Sequence, residues 1–332
     1  MNNRKPIVGI TGANGFVGLS LFKYLQEKGY RVRGIIRHSS SVNSPEKIMK
    51  DIVRVDYSRL NELINAFNGL DVVVHCAARS LDWGKRKDFF TANVQLVENV
   101  VKASAKTKIK RIIHISTANI EGYGSQMLDE TSQNVPHFKY SKSKWQGENM
   151  LKALCETNEI DYVILRPSAI YGPGDFKWSY AMIERIKNRW WPLINNGNAK
   201  FTPLFIENLL KAVEISLNTG HKNNTYNLTD NYTITWRNFS DNIAKILNVT
   251  PHYKNYPFHI AIIVSVLSKI IHDIFSPRKE PTITPYRVIR ASKDFIYSCK
   301  RAINDLNYKP ESNIYYNLTK TVEWYNSLGG KY

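Results

Sequence analysis

Cysteine is scarce in this chain of 332 residues. The three present, Cys76, Cys155 and Cys299, lie far apart and show no metal-ligand spacing. That excludes a disulfide framework and a zinc module and predicts a reduced, cytoplasmic setting. A cleavable leader is not expected, because the first apolar run begins within seven residues of Met1. There is no internal repeat and no long low-complexity linker. Acidic residues are the minority, with 28 Asp and Glu against 46 Lys and Arg, for a net charge of +18. The excess is diffuse, since the first 150 residues carry 23 basic and 13 acidic side chains. A dedicated nucleic-acid arm is therefore not expected. An anionic cofactor, an anionic substrate or an acidic membrane surface would each suit the charge, as would a lysine-rich solvated surface without function. No uninterrupted apolar run of spanning length occurs. The richest one, Phe258 to Phe275, is broken by Ser265, Ser268, Lys269, His272 and Asp273. A transmembrane helix needs about 20 largely uncharged residues, so a buried or lobe-forming helix and an interfacial helix are the two readings left open.

What is present begins at the amino end. Ile7-Val8-Gly9-Ile10-Thr11 reads as a strand, Gly12-Ala13-Asn14-Gly15-Phe16-Val17-Gly18 as a glycine turn, and Val17, Leu21, Phe22 and Leu25 as the apolar stripe of a helix ending near Gly29. Glycine lets backbone turn tightly and approach a ligand. A helix starting near Phe16 offers free N–H groups to a phosphate. The spacing Gly-x-x-Gly-x-x-Gly differs from the commoner Gly-x-Gly-x-x-Gly, yet its strand–turn–helix context predicts a dinucleotide site.

Apolar runs then alternate with helical stripes. Strands are expected at Val32–Ile36, Ile52–Val55, Val72–Val74, Ile112–Ile115 and Tyr162–Leu165, with helices between them. Such alternation predicts an α/β fold, a Rossmann-type doubly wound parallel sheet with helices on both faces. Residues 1–172 would form this dinucleotide-binding domain, with 200–220 returning to it. Residues 173–199 and 221–332 would form a smaller C-terminal substrate-binding lobe, with Trp178, Trp190 and Trp191 near its pocket.

The second chemical signal is Tyr140-Ser141-Lys142-Ser143-Lys144. Tyr140 and Lys144 are four residues apart and share one helix face. A free phenol has a pKa near 10, too high for ready proton exchange at neutral pH. A neighbouring ammonium would lower it, and the pair could then exchange a proton with a substrate oxygen while hydride moves to or from a nicotinamide. The fifth strand ends in Ile115-Ser116-Thr117. Side chains alternate along a strand, so one of Ser116 and Thr117 should hold the same oxygen.

Together these landmarks resemble the extended short-chain dehydrogenase/reductase family, over nearly the whole chain. Further matches are Asp56, His75-Cys76-Ala77-Ala78, Asn93-Val94 and Arg166-Pro167-Ser168-Ala169-Ile170-Tyr171-Gly172-Pro173-Gly174. The resemblance implies an enzyme in which Gly12, Asn14, Gly15, Phe16, Val17 and Gly18 hold a pyrophosphate. Asp56 would face the adenine, and Ala77, Ala78, Asn93 and Pro167 would contact the cofactor. Tyr140, Lys144 and Thr117, with Ser116 as understudy, would carry the chemistry, and Lys144 would also hold the nicotinamide ribose. Homodimerisation through paired helices is common in the family.

At the end of the second strand stands Arg37, where an acidic residue would bind the ribose hydroxyl of NAD. A guanidinium suits a 2′-phosphate, so NADP(H) is the expected cofactor, with NAD(H) as the alternative. Ala77-Ala78-Arg79-Ser80-Leu81-Asp82-Trp83-Gly84 and the apolar segment 258–275 followed by Glu280-Pro281-Thr282-Ile283-Thr284-Pro285 look like the 3β-hydroxysteroid dehydrogenase-like branch. That branch implies alcohol–ketone interconversion on an apolar, sterol-like or β-keto-acid-like small molecule, with peripheral membrane contact through 258–275. A nucleotide-sugar epimerase or 4-ketoreductase is the second expectation, favoured by positive charge and by Asn195 and Asn196. A catalytically silent NAD(P)-binding protein is the third.

Overall fold

The computed structural model describes residues 4–40, 50–275 and 281–329; Glu280 lies outside them. Seven strands form one parallel sheet: β1 (Ile7–Thr11), β2 (Arg31–Arg37), β3 (Ile52–Val55), β4 (Val72–His75), β5 (Arg111–Ile115), β6 (Asp161–Pro167) and β7 (Asn224–Leu228). Their order is β7-β6-β5-β4-β1-β2-β3. The helices between them are α1 (Phe16–Glu27), α2 (Leu60–Phe67), α3 (Leu96–Lys106), α4 (Lys139–Thr157) and α5 (Ile206–Asn218).

Apolar stripes place these helices. Leu21, Phe22 and Leu25 of α1 share one core with Leu209, Val213 and Leu217 of α5. On the opposite face, Leu63 and Phe67 of α2 pack with Leu96 and Val100 of α3. Val97 and Val101 of α3 in turn meet Leu151 and Cys155 of α4. Helices therefore cover both faces, as strands buried on two sides require. The strand order reverses between β1 and β4, which opens a crevice at their carboxyl ends.

One boundary differs from the sequence expectation. Residues 224–228 do not belong to a separate lobe. They add β7 to the sheet edge, with Asn224 opposite Val163 and Leu228 opposite Pro167. The strand reads Asn-Thr-Tyr-Asn-Leu, whose polar residues hid it, but Asn227 is fully buried and donates from Nδ2 to Glu121 at 3.0 Å.

The smaller C-terminal region includes α6 (Phe258–Phe275) and α7 (Pro285–Ser292). The start of α6 packs with α7 and with a short strand, Trp190–Ile194, through Ala261, Val288 and Ile194. Thr284 caps α7 and donates to Asp82 at 2.5 Å, tying this hairpin to the loop after β4.

Candidate active site

β1 delivers Gly12 into the crevice with φ +68°, a left-handed conformation for which glycine is suited. A side chain there would also strike the Ala77 backbone at 2.8 Å, and a Cβ on Gly18 would lie 2.3 Å from the Gly12 carbonyl. The turn is thus closed up until only backbone fits. Gly15 caps α1 without a side-chain bond, and the first turn holds no acidic residue. The N–H groups at Phe16, Val17 and Gly18 are thereby left for an anion, with Asn14 exposed beside them. A pyrophosphate fits this cradle.

Sequence reasoning missed a brace beneath the turn. The buried Tyr57 hydroxyl accepts from Gly12 N–H at 2.9 Å and donates to the Ile35 carbonyl at 2.7 Å. Its ring arrives from the residue after Asp56, and nothing in the local pattern marks it.

The other cofactor candidates stand at successive strand ends. Arg37 closes β2, exposed and without an ion pair among the described residues. Asp56 follows β3, and its Oδ1 accepts from Ser58 N at 2.9 Å and Ser58 Oγ at 2.7 Å. These bonds, followed by Arg59 at 3.6 Å and by His38, hold the carboxyl below its usual value despite desolvation. Ala77 and Ala78 follow β4, where the Ala77 N–H donates to Thr11 Oγ1 at 3.4 Å. Pro167 ends β6, buried opposite Leu228.

Asn93 departs from its expected place as a direct cofactor contact. It is 1% exposed, in a π-helical turn, Thr91–Gln95. Its Oδ1 accepts from Arg79 N at 2.8 Å, while Nδ2 donates to Arg79 O at 3.2 Å and to Ser143 Oγ at 2.8 Å. The amide is consumed in binding the loop after β4 to α4. Gly147 permits that approach, since a Cβ there would lie 2.2 Å from the Asn93 carbonyl.

At the end of β5, Thr117 and Ser116 separate as strand alternation demands. Thr117 Oγ1 accepts from Asn119 N at 3.3 Å and stands near the Tyr140 hydroxyl. Ser116 Oγ is buried without a hydrogen-bond partner among the described residues. Tyr140, in the first turn of α4, is half-buried.

The electrostatics reverse one expectation. Burial, reinforced by the neighbouring Tyr286, pushes the Tyr140 phenol up, against the influence of Thr117, which lowers it. The Lys144 ammonium does not offset this, because it turns inward. It is 2% exposed and donates to the Ile115 carbonyl at 2.7 Å, with His114 Nε2 at 3.4 Å. Burial lowers its own pKa to about 8, opposed by Glu148 and Cys76.

Beneath Lys144 runs a buried polar row that the sequence did not disclose. Thr11, His75 and His114 are register partners across β1, β4 and β5. Thr11 Oγ1 lies 2.6 Å from His75 Nδ1, and the two imidazoles stack at 5.2 Å. Burial, then Lys144, brings His75 down to about 3 and His114 well below its usual value, so both are neutral at pH 7.

The wall facing Tyr140 is aromatic. Tyr286 of α7 meets Phe138 edge-on at 4.7 Å and accepts from Asn119 Nδ2 at 3.3 Å. Tyr297 donates to the Gly122 carbonyl at 2.7 Å, with Asn119 Oδ1 3.2 Å from the same hydroxyl. The tryptophans expected here pack elsewhere. Trp178 stacks on Phe239 at 5.8 Å within the core, Trp190 stands under Arg185 at the surface, and Trp191 packs against the core. Tyr286 lies more than 140 positions beyond Tyr140 and had no local signal.

Comparison with known proteins agrees with this geometry. A family model described as "NAD dependent epimerase/dehydratase family" matches residues 8–229. Mouse sterol-4-alpha-carboxylate 3-dehydrogenase, decarboxylating, is 23% identical over 96% of this chain and 91% of its own length. The 2-alkyl-3-oxoalkanoate reductase of Stenotrophomonas maltophilia is 23% identical over 92% of this chain and 95% of its own. Among solved structures, UDP-glucuronic acid 4-epimerase from Bacillus cereus, in complex with NAD, superposes with a TM-score of 0.77 at 20% identity, covering 97% of this chain and 99% of that one. The chain belongs to the NAD dependent epimerase/dehydratase family of NAD(P)-binding oxidoreductases and epimerases.

Proposed function

We propose that this protein is an NADP(H)-dependent reductase of ketones on apolar, sterol-like or β-keto-acid-like substrates. The observation that carries the reading is the convergence of Thr117, just after β5, and Tyr140, in the first turn of α4, beside the Phe138–Tyr286 ring pair at the crevice edge. A nicotinamide cofactor supplies hydride when bound. This chain's residues hold it and manage the proton. The Gly12–Gly18 turn takes the pyrophosphate, and Lys144 lies under the end of β5 where a ribose would rest.

Tyr140 is the proton donor in this reading. With its pKa raised, the phenol carries its proton at neutral pH. A protonated acid suits delivery to the oxygen of a ketone becoming an alcohol. Thr117 accepts from the Asn119 N–H, which turns its hydroxyl proton toward Tyr140 and the place that oxygen would take. Two relatives support the substrate class by the names they carry, a sterol carboxylate dehydrogenase and an oxoalkanoate reductase. The aromatic wall of Phe138 and Tyr286 would receive an apolar body.

The exposed guanidinium of Arg37, without an ion pair among the described residues, supports NADP(H), because it can bind a 2′-phosphate by paired hydrogen bonds. The test is NADPH consumption with sterol ketones and 2-alkyl-3-oxoacids, run beside NADH and beside UDP-sugars. The expected result is net NADPH oxidation with the apolar ketones and a loss of NADPH preference in Arg37→Asp. UDP-sugar epimerisation without net cofactor change would replace this reading with the epimerase one. Cofactor binding without turnover on any substrate would make the protein a silent binder.

A further inference from the structure

Tyr286 is held in place more closely than a cleft wall requires. It is the second residue of α7, and residues on both sides of it are tied to one carboxylate, Asp82 in the loop after β4, whose side chain is 8% exposed. Thr284 Oγ1 donates to Asp82 Oδ2 at 2.5 Å. Arg287 grips both carboxylate oxygens, with Nε 2.9 Å from Oδ2 and Nη2 3.2 Å from Oδ1. Thr284 also caps the helix by accepting from Arg287 N at 3.2 Å. A paired guanidinium–carboxylate contact fixes direction as well as distance. The first turn of α7, and the phenol it carries, is thereby set against the loop that follows Ala77 and Ala78.

The hydroxyl is placed as well as the ring. Asn119 serves two hydroxyls at once: its backbone N–H donates to Thr117 Oγ1 and its side-chain Nδ2 donates to the Tyr286 hydroxyl, each at 3.3 Å. A lone pair on each oxygen is used in this way, and the proton of each is left to be given. The Tyr286 proton has no acceptor among the described residues. Two neighbours show that packing alone does not produce this. Phe138, edge-on to Tyr286 at 4.7 Å, lines the same wall without a hydroxyl. Tyr297, also beside Asn119, is 2% exposed and spends its proton on the Gly122 carbonyl at 2.7 Å.

Tyr286 is only half-buried and stands near enough to Tyr140 to act on its phenol electrostatically. Burial raises the Tyr286 phenol above its ordinary value, against Arg290, so the group keeps its proton at neutral pH. Thr117, Tyr140 and Tyr286 therefore bring three protonated hydroxyls to one edge of the crevice, from β5, α4 and α7. A ketone oxygen gains negative charge as hydride reaches its carbon, and donors fixed in advance around that oxygen lower the barrier.

We infer that Tyr286 is a further catalytic residue, whose hydroxyl donates a hydrogen bond to the ketone oxygen that Tyr140 protonates, with Asn119 and Asp82 as the residues that position it. The inference rests on the proposed reductase reading. In the balanced step, hydride from NADPH forms the new C–H bond and the Tyr140 proton completes the alcohol. Tyr286 breaks no bond and keeps its proton; it stabilises the oxygen while charge is on it.

The experiment is steady-state NADPH oxidation with 2-alkyl-3-oxoacids and sterol ketones as probes, by the wild type, Tyr286→Phe and Tyr140→Phe, using NADPH and NADPH deuterated at the transferred position. Tyr286→Phe keeps the ring that packs on Phe138 and loses only the hydroxyl. Its kcat should fall by about a hundredfold, with KM for the ketone, NADPH affinity and melting temperature unchanged. The deuterium effect on kcat should be at least as large as in the wild type, because the slowed step is hydride transfer. Turnover like that of the wild type, with Tyr140→Phe inactive, would overturn this inference and leave the reductase reading in place. A raised KM at unchanged kcat would make Tyr286 a binding wall only. A fall in kcat whose deuterium effect shrinks toward unity would place the hydroxyl in a step other than the chemistry and overturn the inference as well. A wild type that oxidises NADPH with none of these ketones would remove the reductase reading and this inference with it.

Discussion

The glycine turn after β1 and the hairpin of α6 and α7 solve opposite problems. In the turn, space is so short that the Cβ of Gly18 would fall 2.3 Å from a carbonyl. Its backbone is held from beneath by Tyr57, and its helix ends in free N–H groups. In the hairpin, small residues face inward and large apolar ones face out. One region has been shaped by a small charged ligand that enters the fold. The other has the composition of a core on a face that is exposed among the described residues, so truncating it should cost little stability.

The largest expected effect lies between the two regions. Tyr140→Phe should lower turnover by about a thousandfold while leaving cofactor affinity in place. An equal loss of NADPH binding, read by calorimetry, would mean that the phenol belongs to the nucleotide cradle and not to the chemistry.

Next comes a matched pair of truncations. Leu21→Ala, in the fully buried stripe of α1, should cost about 2–5 kcal/mol by chemical denaturation. Leu267→Ala, 54% exposed on α6, should stay within about 0.5 kcal/mol. Similar costs at the two sites would show that α6 is covered in solution and would erase the contrast.

Gly18→Ala should fall below the Leu21 change in stability, by about 1–3 kcal/mol, because the added methyl forces the turn apart. It should weaken NADPH binding as well. Stability lost without any loss of affinity would separate the turn from the cofactor site.

The smallest effect is one of pH. Arg166 sits between two buried carboxylates, bound to Glu148 at 2.7 Å and Glu121 at 3.1 Å. Burial pushes Glu121 from its ordinary 4.5 up to about 8, against Arg166 and Asn227. The folded state then holds a proton that the unfolded chain has released. Stability from this group is full below about pH 4.5 and declines as pH rises toward 8. Glu121→Gln should flatten that part of the stability–pH curve, measured by denaturant midpoints. A curve unchanged by the substitution would place the titrating proton elsewhere.

Much of the nucleotide half was legible because its signals are local. A strand, three glycines and an apolar stripe occupy adjacent positions, and each constrains the backbone where it stands. Strand alternation said that one of Ser116 and Thr117 faces the site, and the family resemblance pointed to Thr117. Asn93 was harder. Its residue type suits a ligand contact, but a π-turn and Gly147 bring it to Ser143, where its amide is used up. The strand at Asn224 was hidden because its polar side chains find partners only from other parts of the chain. The tryptophans misled for the converse reason, since a large ring fills a core as readily as a pocket.

By itself, the order of residues determined the parallel sheet, the glycine turn and the placing of Tyr140 one helical turn before Lys144. These follow from periodicity and backbone sterics, which act over a few residues. Only the tertiary structure decided that Lys144 faces Ile115 and His114, that Tyr286 walls the cleft and that α6 turns its apolar face outward. Those outcomes depend on desolvation and packing between segments up to 150 positions apart, and no local pattern encodes which neighbours a side chain will meet.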